Sequence, residues 1–117
     1  MHDCLFCKIV AGDIPAKKVF EDDELIAFHD INPAAPVHLL IVPKTHIATL
    51  GDVRPADEAI VGRMMAMAPK LASENGGRAL PEGGLRVVMN AGPDGMQEVY
   101  HIHLHVLAGD RPWRAFP

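Results

Sequence analysis

Apolar and polar residues alternate most cleanly near the end of the chain, in YHIHLHV, residues 100–106. Successive side chains of a strand point to opposite faces, so His101, His103 and His105 share one face at steps of about 6–7 Å. Ile102, Leu104 and Val106 take the other face, toward the core. A helix would scatter the same histidines at steps of roughly 200°, so the pattern predicts a strand. Residues 37–42, VHLLIV, are almost continuously apolar and predict a central strand ended by Pro43. Residues 17–20 and 25–29 predict two more strands, joined as a hairpin by the acidic turn Glu21-Asp22-Asp23. A further strand is predicted over 85–89, leading into the loop NAGPDGMQ, residues 90–97.

Between these segments the period changes. Ile60, Met64, Met67, Ala68 and Leu71 recur at helical spacing and predict a helix over 56–74, with Pro55 at its start and Gly76-Gly77 past its end. Pro69 lies inside it and predicts a kink or an early stop. A short helix is predicted over 6–11, stopped by Gly12 and the Ile14-Pro15 step. The stretch DINPAAP, 30–36, is too rich in proline for a regular element. These elements describe an α+β domain: an antiparallel sheet of about five strands with one main helix and a short N-terminal helix. No repeat or linker interrupts the 117 residues, which are expected to form a single domain, 1–117.

Composition narrows the partners. Apolar residues are 49% and charged ones 22%, as in an ordinary globular protein. A net charge of −4 supplies no electrostatic basis for a general nucleic-acid or membrane binder. The longest apolar run is far short of a membrane span, and Met1-His2-Asp3 opens no signal peptide, so a cytoplasmic protein is expected.

A histidine row has three physical uses. Two imidazoles in H-x-H on a strand can share a metal. One imidazole can attack phosphorus or a carbonyl while its neighbours bind the group attacked. The third possibility is a set of surface residues with no task, which strict alternation opposite an apolar face argues against. His38 is either a satisfied core histidine or a further member of the site, and it favours the functional readings because an imidazole inside an apolar strand needs a partner there. Its strand is expected to border the histidine strand, with His38 facing the same pocket. NAGPDGMQ has the composition of a loop that aims backbone N–H groups at an anion, and equally of a tight turn; its place directly before the histidines favours the first. The two cysteines, Cys4 and Cys7 in CLFC, fit a zinc pair, a redox pair or spare thiols. Zinc would need two further ligands, for which His46 in PKTH and His101 are candidates.

His101-Ile102-His103-Leu104-His105-Val106-Leu107 resembles the signature of the histidine-triad (HIT) family of nucleotide hydrolases and transferases. The opening CLFCKIVAGDIPAKKVFEDDELIAFHDINPAAPVHLLIVPKTHI and the segment QEVYHIHLHVL resemble its HINT branch, so the likeness covers almost the whole chain. The resemblance implies a HIT-like fold and a catalytic group of His101, His103, His105 and His38. Within it His103 is the expected nucleophile, passing through a nucleotidyl-histidine, and His105 and His38 contact the phosphate. It places Asp30 on the ribose hydroxyls and Phe6, Ile9, Ile14 and Ile31 around the purine. Asn90 and Gln97 are expected near the phosphate and Glu98 near the leaving group. Relatives with this CxxC hold structural zinc through it, which implies Cys4, Cys7, His46 and His101 as ligands; a liganded His101 is then no free acid. No cofactor is expected for catalysis itself.

The implied activity is cleavage of the P–N bond in purine nucleoside 5′-phosphoramidates or aminoacyl adenylates, releasing the nucleoside monophosphate. The alternatives are dinucleoside polyphosphate hydrolysis, or a non-catalytic nucleotide-binding or zinc-stabilised adaptor. The resemblance also implies a homodimer, with two sheets joined into one. Met96, where relatives have glycine, and the tail AGDRPWRAFP depart from the family pattern, which leaves the substrate choice open.

Overall fold

A computed structural model describes residues 3–115; Met1 and His2 of the chain start, and the last two residues of the tail, lie outside them. Helix α1 (Leu5–Ala11) is followed by strands β1 (Lys18–Glu21), β2 (Leu25–His29) and β3 (Val37–Pro43), then by the main helix α2 (Glu58–Glu74) and by strands β4 (Leu85–Val88) and β5 (Leu104–Ala108). The five strands form one antiparallel sheet in the order β1-β2-β3-β5-β4. The α+β class, the five strands and the two helices are those expected from the apolar pattern.

β3 sits at the centre of the sheet and both its faces are covered, hence its nearly unbroken apolar run. Its period of two is still visible. Val37, Leu39 and Ile41 join Leu25, Ala27, Leu104 and Val106 under Met64, Ala68 and Leu71 of α2. Leu40 and Val42 face the other way, with Ile26 and Phe28, under Phe6 and Ile9 of α1. His38 belongs to that second face. Each large apolar side chain removed from water contributes about 1.5–3 kcal/mol, so the α2 face supplies most of the stabilisation and the α1 face carries the chemistry.

Two boundaries differ from expectation for physical reasons. α2 runs through Pro69 to Glu74 without an early stop. The N–H that proline lacks would have met the carbonyl of Met65, a residue 52% exposed on the solvent side of the helix, so the gap falls where water is within reach. Met65 points outward while Met64 is in the core and Met67 packs at its edge. The histidine strand begins only at Leu104, leaving His101 and His103 ahead of it. There the backbone is held by Ile102 N–H to Ile47 O at 2.8 Å and His101 N–H to Val99 O at 2.9 Å, so the 44–49 loop replaces the ladder to β3. Alternation survives the change: Ile102 is in the α2-side core, and His101 and His103 lie against Phe6 on the opposite side.

Candidate active site

The α1 face of the sheet holds a cavity of about 600 Å³. One wall is apolar: Phe6 and Ile9 from α1, Ile14 from the turn after it, Phe28 from β2 and Leu40 from β3. α1 is held in place locally, since Cys4 caps its N-terminus by accepting the Cys7 N–H and Gly12 ends it at φ 84°. Ile31 also lines the cavity, with its side chain fully exposed. An apolar slot of this lining, with Phe6 and Phe28 in its wall, suits a flat aromatic ring.

The imidazoles follow directly. Phe6 meets the His103 ring edge-on at 5.0 Å, and the His103 and His105 centroids are 5.0 Å apart. His105 neighbours His38 across the β3–β5 ladder, with rings 5.2 Å apart. Burial pushes the pKa of all three down, that of His105 to about 4, so at pH 7 each ring is neutral.

Neutral rings have one proton each, and their partners determine where it sits. His103 Nδ1 lies 2.8 Å from the carbonyl oxygen of His101. A carbonyl only accepts, so Nδ1 carries the proton and Nε2 presents a lone pair. At His38 the logic reverses: the Ala34 N–H donates to Nδ1 at 3.0 Å, which puts the His38 proton on Nε2. That Nε2 lies 3.0 Å from His105 Nδ1 and 3.4 Å from Asp30 Oδ2. His105 Nδ1 therefore accepts, and its own proton is on Nε2. The cavity thus combines one basic nitrogen on His103 with a hydrogen-bond donor on the adjacent His105. This is the arrangement required to attack an electrophilic phosphorus while holding one of its oxygens.

Asp30 accepts the Asn32 N–H through Oδ1 at 2.8 Å, which orients the carboxylate at the cavity wall. Asn90, Met96 and Glu98 complete the rim. Met96 adopts φ 61°, left-handed for a residue with a side chain. Gln97 does not line the cavity. Its amide oxygen accepts from Gly92 N at 2.9 Å, and its nitrogen donates to Ala48 O at 2.8 Å and Val99 O at 3.0 Å. It shapes the loop that carries its neighbours.

His101 is also outside the cavity, fully buried behind it. His101 Nε2 lies 2.7 Å from Pro43 O, so that nitrogen carries the proton and Nδ1 is bare. Burial lowers its pKa to about 4. The bare Nδ1 faces Cys4 Sγ at 3.3 Å, Cys7 Sγ at 3.6 Å and His46 Nδ1 at 3.2 Å, and Cys7 Sγ to His46 Nδ1 is 3.3 Å. Zn–S bonds of about 2.3 Å and Zn–N bonds of about 2.0–2.1 Å make tetrahedral edges of about 3.3–3.8 Å, which matches this spacing. Both cysteines are free thiols, and burial raises the pKa of Cys7. Two sulfurs, two nitrogens and a backbone carbonyl fixing one tautomer form a fitting zinc site.

Asp30, His38 and His105 form a second group with ligand atoms within 4.8 Å of one another. It does not fit a metal in the same way. The Ala34 N–H occupies His38 Nδ1 and forces the proton onto Nε2, the atom that would have to bind the ion.

The cavity therefore gathers Phe6, Ile9, Ile14, Asp30, Ile31, His38, Asn90, Glu98, His103 and His105 from the residues named by sequence, and separates Gln97 and His101 from them. Phe28 and Leu40 were missed although period-two alternation puts them on the His38 face. Arg114 was missed for lack of any local signal, because the tail meets the cavity by folding back onto a loop some 80 residues earlier.

Comparison with known proteins agrees with this geometry. The HIT domain family model matches residues 11–112. A purine nucleoside phosphoramidase of Escherichia coli K12 is 44% identical over 108 residues, covering 92% of this chain and 88% of that protein. The crystal structure of a HIT family hydrolase from Legionella pneumophila Philadelphia 1 has a TM-score of 0.85 at 50% identity, covering 93% of this chain and 95% of that one. A Zn-bound histidine triad family protein from Mycobacterium smegmatis superimposes with a TM-score of 0.74 at 30% identity, covering 97% and 84%.

Proposed function

The chain belongs to the HIT family as one of its hydrolases, and from that premise we propose that it cleaves the P–N bond of purine nucleoside 5′-phosphoramidates or aminoacyl adenylate-type conjugates. The base lies in the slot between α1 and the sheet, Asp30 accepts from the ribose hydroxyls, and the α-phosphate meets His103 and His105. His103 Nε2 attacks phosphorus, the P–N bond breaks, and the departing nitrogen takes up a proton from solvent, which the attacking water of the second step gives back. The positive charge that develops on the His103 ring is met by the His101 carbonyl at Nδ1–H. His105 Nε2–H steadies a phosphoryl oxygen throughout. Water then attacks the same phosphorus, the nucleotidyl bond to His103 breaks, and the nucleoside monophosphate leaves with His103 neutral again.

The observation that carries this reading is the lone pair fixed on His103 Nε2 in a cavity walled for a flat base. Incubation with adenosine 5′-phosphoramidate should release AMP, and His103→Ala should lose at least about a thousandfold in turnover, as expected when a nucleophile is removed. Intact-mass analysis of the wild type should detect the nucleotidyl adduct. Equal AMP release by both proteins would sink the assignment.

We further propose that Cys4, Cys7, His46 and His101 hold zinc, supported by their spacing and by the Zn-bound mycobacterial relative. With four protein ligands the ion supplies a structural brace. The chain is also proposed to form a homodimer through β4, an edge strand with nothing paired beyond it among the described residues. A cytoplasmic location is proposed on the reduced thiols; among the described residues no helix is long and apolar enough to cross a membrane.

A further inference from the structure

The only two thiols of the chain, Cys4 and Cys7, stand within one turn of each other at the start of α1. Cys4 is the N-cap residue, with extended backbone at φ −82° and ψ 117°, and Cys7 is the third residue of the helix. The Cys7 N–H donates to Cys4 Sγ at 3.3 Å. Residues three apart in a helix have Cα atoms about 5 Å apart, inside the roughly 4.4–6.8 Å that a disulfide spans. Both side chains turn the same way, since Cys4 Sγ and Cys7 Sγ lie 3.3 Å and 3.6 Å from one atom, His101 Nδ1. The two sulfurs are within 4.8 Å of each other, so the pair closes by side-chain rotation on a turn already in place.

Access to the cluster is uneven. Both cysteines and His46 are half-buried, whereas His101 is fully buried behind them. A small oxidant arriving from solvent therefore meets sulfur first. An accessible thiol beside a second thiol that can resolve it is the arrangement that yields a reversible disulfide instead of over-oxidation. Such a bond is incompatible with a filled zinc site. Two thiolates on zinc occupy corners about 3.8 Å apart, while a disulfide holds its sulfurs at about 2.05 Å. Paired sulfurs cannot fill both corners, and their negative charge is gone, which leaves His46 and His101 as the remaining ligands.

We propose that Cys4 and Cys7 are a modification site for peroxide, which joins them in a reversible disulfide, empties the zinc site and turns catalysis down. This rests on the zinc and P–N readings given above. One thiolate attacks a peroxide oxygen, the O–O bond breaks, and a sulfenic acid and a hydroxide form. The second thiolate attacks that sulfur, the S–O bond breaks, and a second hydroxide leaves as the disulfide forms. Two electrons pass from the sulfur pair to the peroxide. The change reaches the nucleophile by two short routes. His101, whose ring belongs to the cluster, accepts the His103 Nδ1 proton on its backbone carbonyl at 2.8 Å. Phe6, between the two cysteines, meets the His103 ring at 5.0 Å.

The test exposes the full chain to a small molar excess of hydrogen peroxide, after its zinc content and turnover have been measured. Both cysteines fall in one tryptic peptide ending at Lys8, whose mass reads their state. That peptide should lose two hydrogens, and dithiothreitol should return them. Zinc should pass to a chromogenic chelator in step with the disulfide, about one ion per chain. Turnover of adenosine 5′-phosphoramidate should fall at least about tenfold, the scale of a lost hydrogen bond to a charged group, and recover with dithiothreitol and zinc. The double variant Cys4→Ser, Cys7→Ser cannot form the bond, so whatever activity it retains should be insensitive to the same exposure. The mass and zinc readings need only wild type, which keeps the inference testable if that variant does not fold. Unmodified thiols overturn the inference, as does direct conversion to sulfinic or sulfonic acid, which dithiothreitol does not reverse. A disulfide that forms with zinc retained or turnover unchanged overturns it too. Zinc or turnover absent before any peroxide is added takes down the readings beneath it, and is seen separately from the mass change.

Discussion

His103 Nδ1 is hydrogen-bonded at 2.8 Å to the backbone carbonyl of His101, whose own ring points at Cys4, Cys7 and His46. The residue that fixes the reactive tautomer is thereby a member of the zinc-fitting cluster. Loss of the ion should loosen the His101 backbone and with it the His103 ring. Protein purified without chelator should contain about one zinc per chain. Cys7→Ala or chelation should lower the melting temperature by roughly 10 °C, taking a loss of about 2 kcal/mol in a domain of this size. In turnover assays kcat should fall through the loosened His103 ring, and KM should rise as well, because Cys4 and Cys7 also anchor α1, which carries Phe6 and Ile9 of the base slot. Zinc loss with unchanged kcat would show that the two sites are independent.

Asp30 is held by the Asn32 N–H at 2.8 Å and faces the cavity with its other oxygen. Asp30→Asn keeps the shape and removes the charge. KM for adenosine 5′-phosphoramidate should rise about tenfold or more, the cost of losing a charge-assisted hydrogen bond to the ribose. The wild-type preference for the ribonucleotide over its 2′-deoxy counterpart should shrink in the variant. A preference that survives intact would place the ribose elsewhere.

Stability should depend on pH through the buried imidazoles. His105 has a folded pKa of about 4 against about 6.5 in an unfolded chain, lowered first by burial and then by its histidine neighbours. Between those values the unfolded chain takes up a proton that the folded one refuses. Stability is therefore full above about pH 6.5 and falls as pH drops toward 4, by at most about 1.4 kcal/mol per unit for this ring and less where solvent reaches it. His105→Asn should flatten the decline in melting temperature between pH 7 and 4.5 relative to wild type. A parallel decline in both proteins would assign the acid sensitivity to other groups.

Much of this was legible because alternation is a local property. The apolar residues at 102, 104 and 106, and those flanking His38, sort onto the face opposite the histidines whether or not each one sits in a formal strand. For that reason the cavity histidines were found even though the ladder stops at Leu104. Gln97 could not be placed the same way, because its role depends on the Ala48 carbonyl, 49 residues away. Arg114 and the exposed end of the Pro69 hydrogen-bond gap depend on tertiary neighbours too. An amide in a glycine-rich loop next to a histidine row looks the same in sequence whether it holds the ligand or the loop.

Met96 has φ 61° and is 62% exposed, so it occupies a left-handed backbone well without burying its side chain. Such a conformation costs a residue with a Cβ about 1 kcal/mol relative to glycine, which enters that region freely. Met96→Gly should therefore stabilise the domain by about 1 kcal/mol, a rise of about 4–8 °C in melting temperature. Because Met96 also lines the rim, the same variant should open the cavity toward bulkier leaving amines. The two effects are separable: calorimetry reads the backbone relief, and the ratio of kcat/KM for an aromatic amine over ammonia as leaving group reads the rim. A gain in stability with an unaltered ratio would mean the side chain leaves the bound amine untouched. A loss of stability would show that the thioether makes contacts worth more than the strain it imposes.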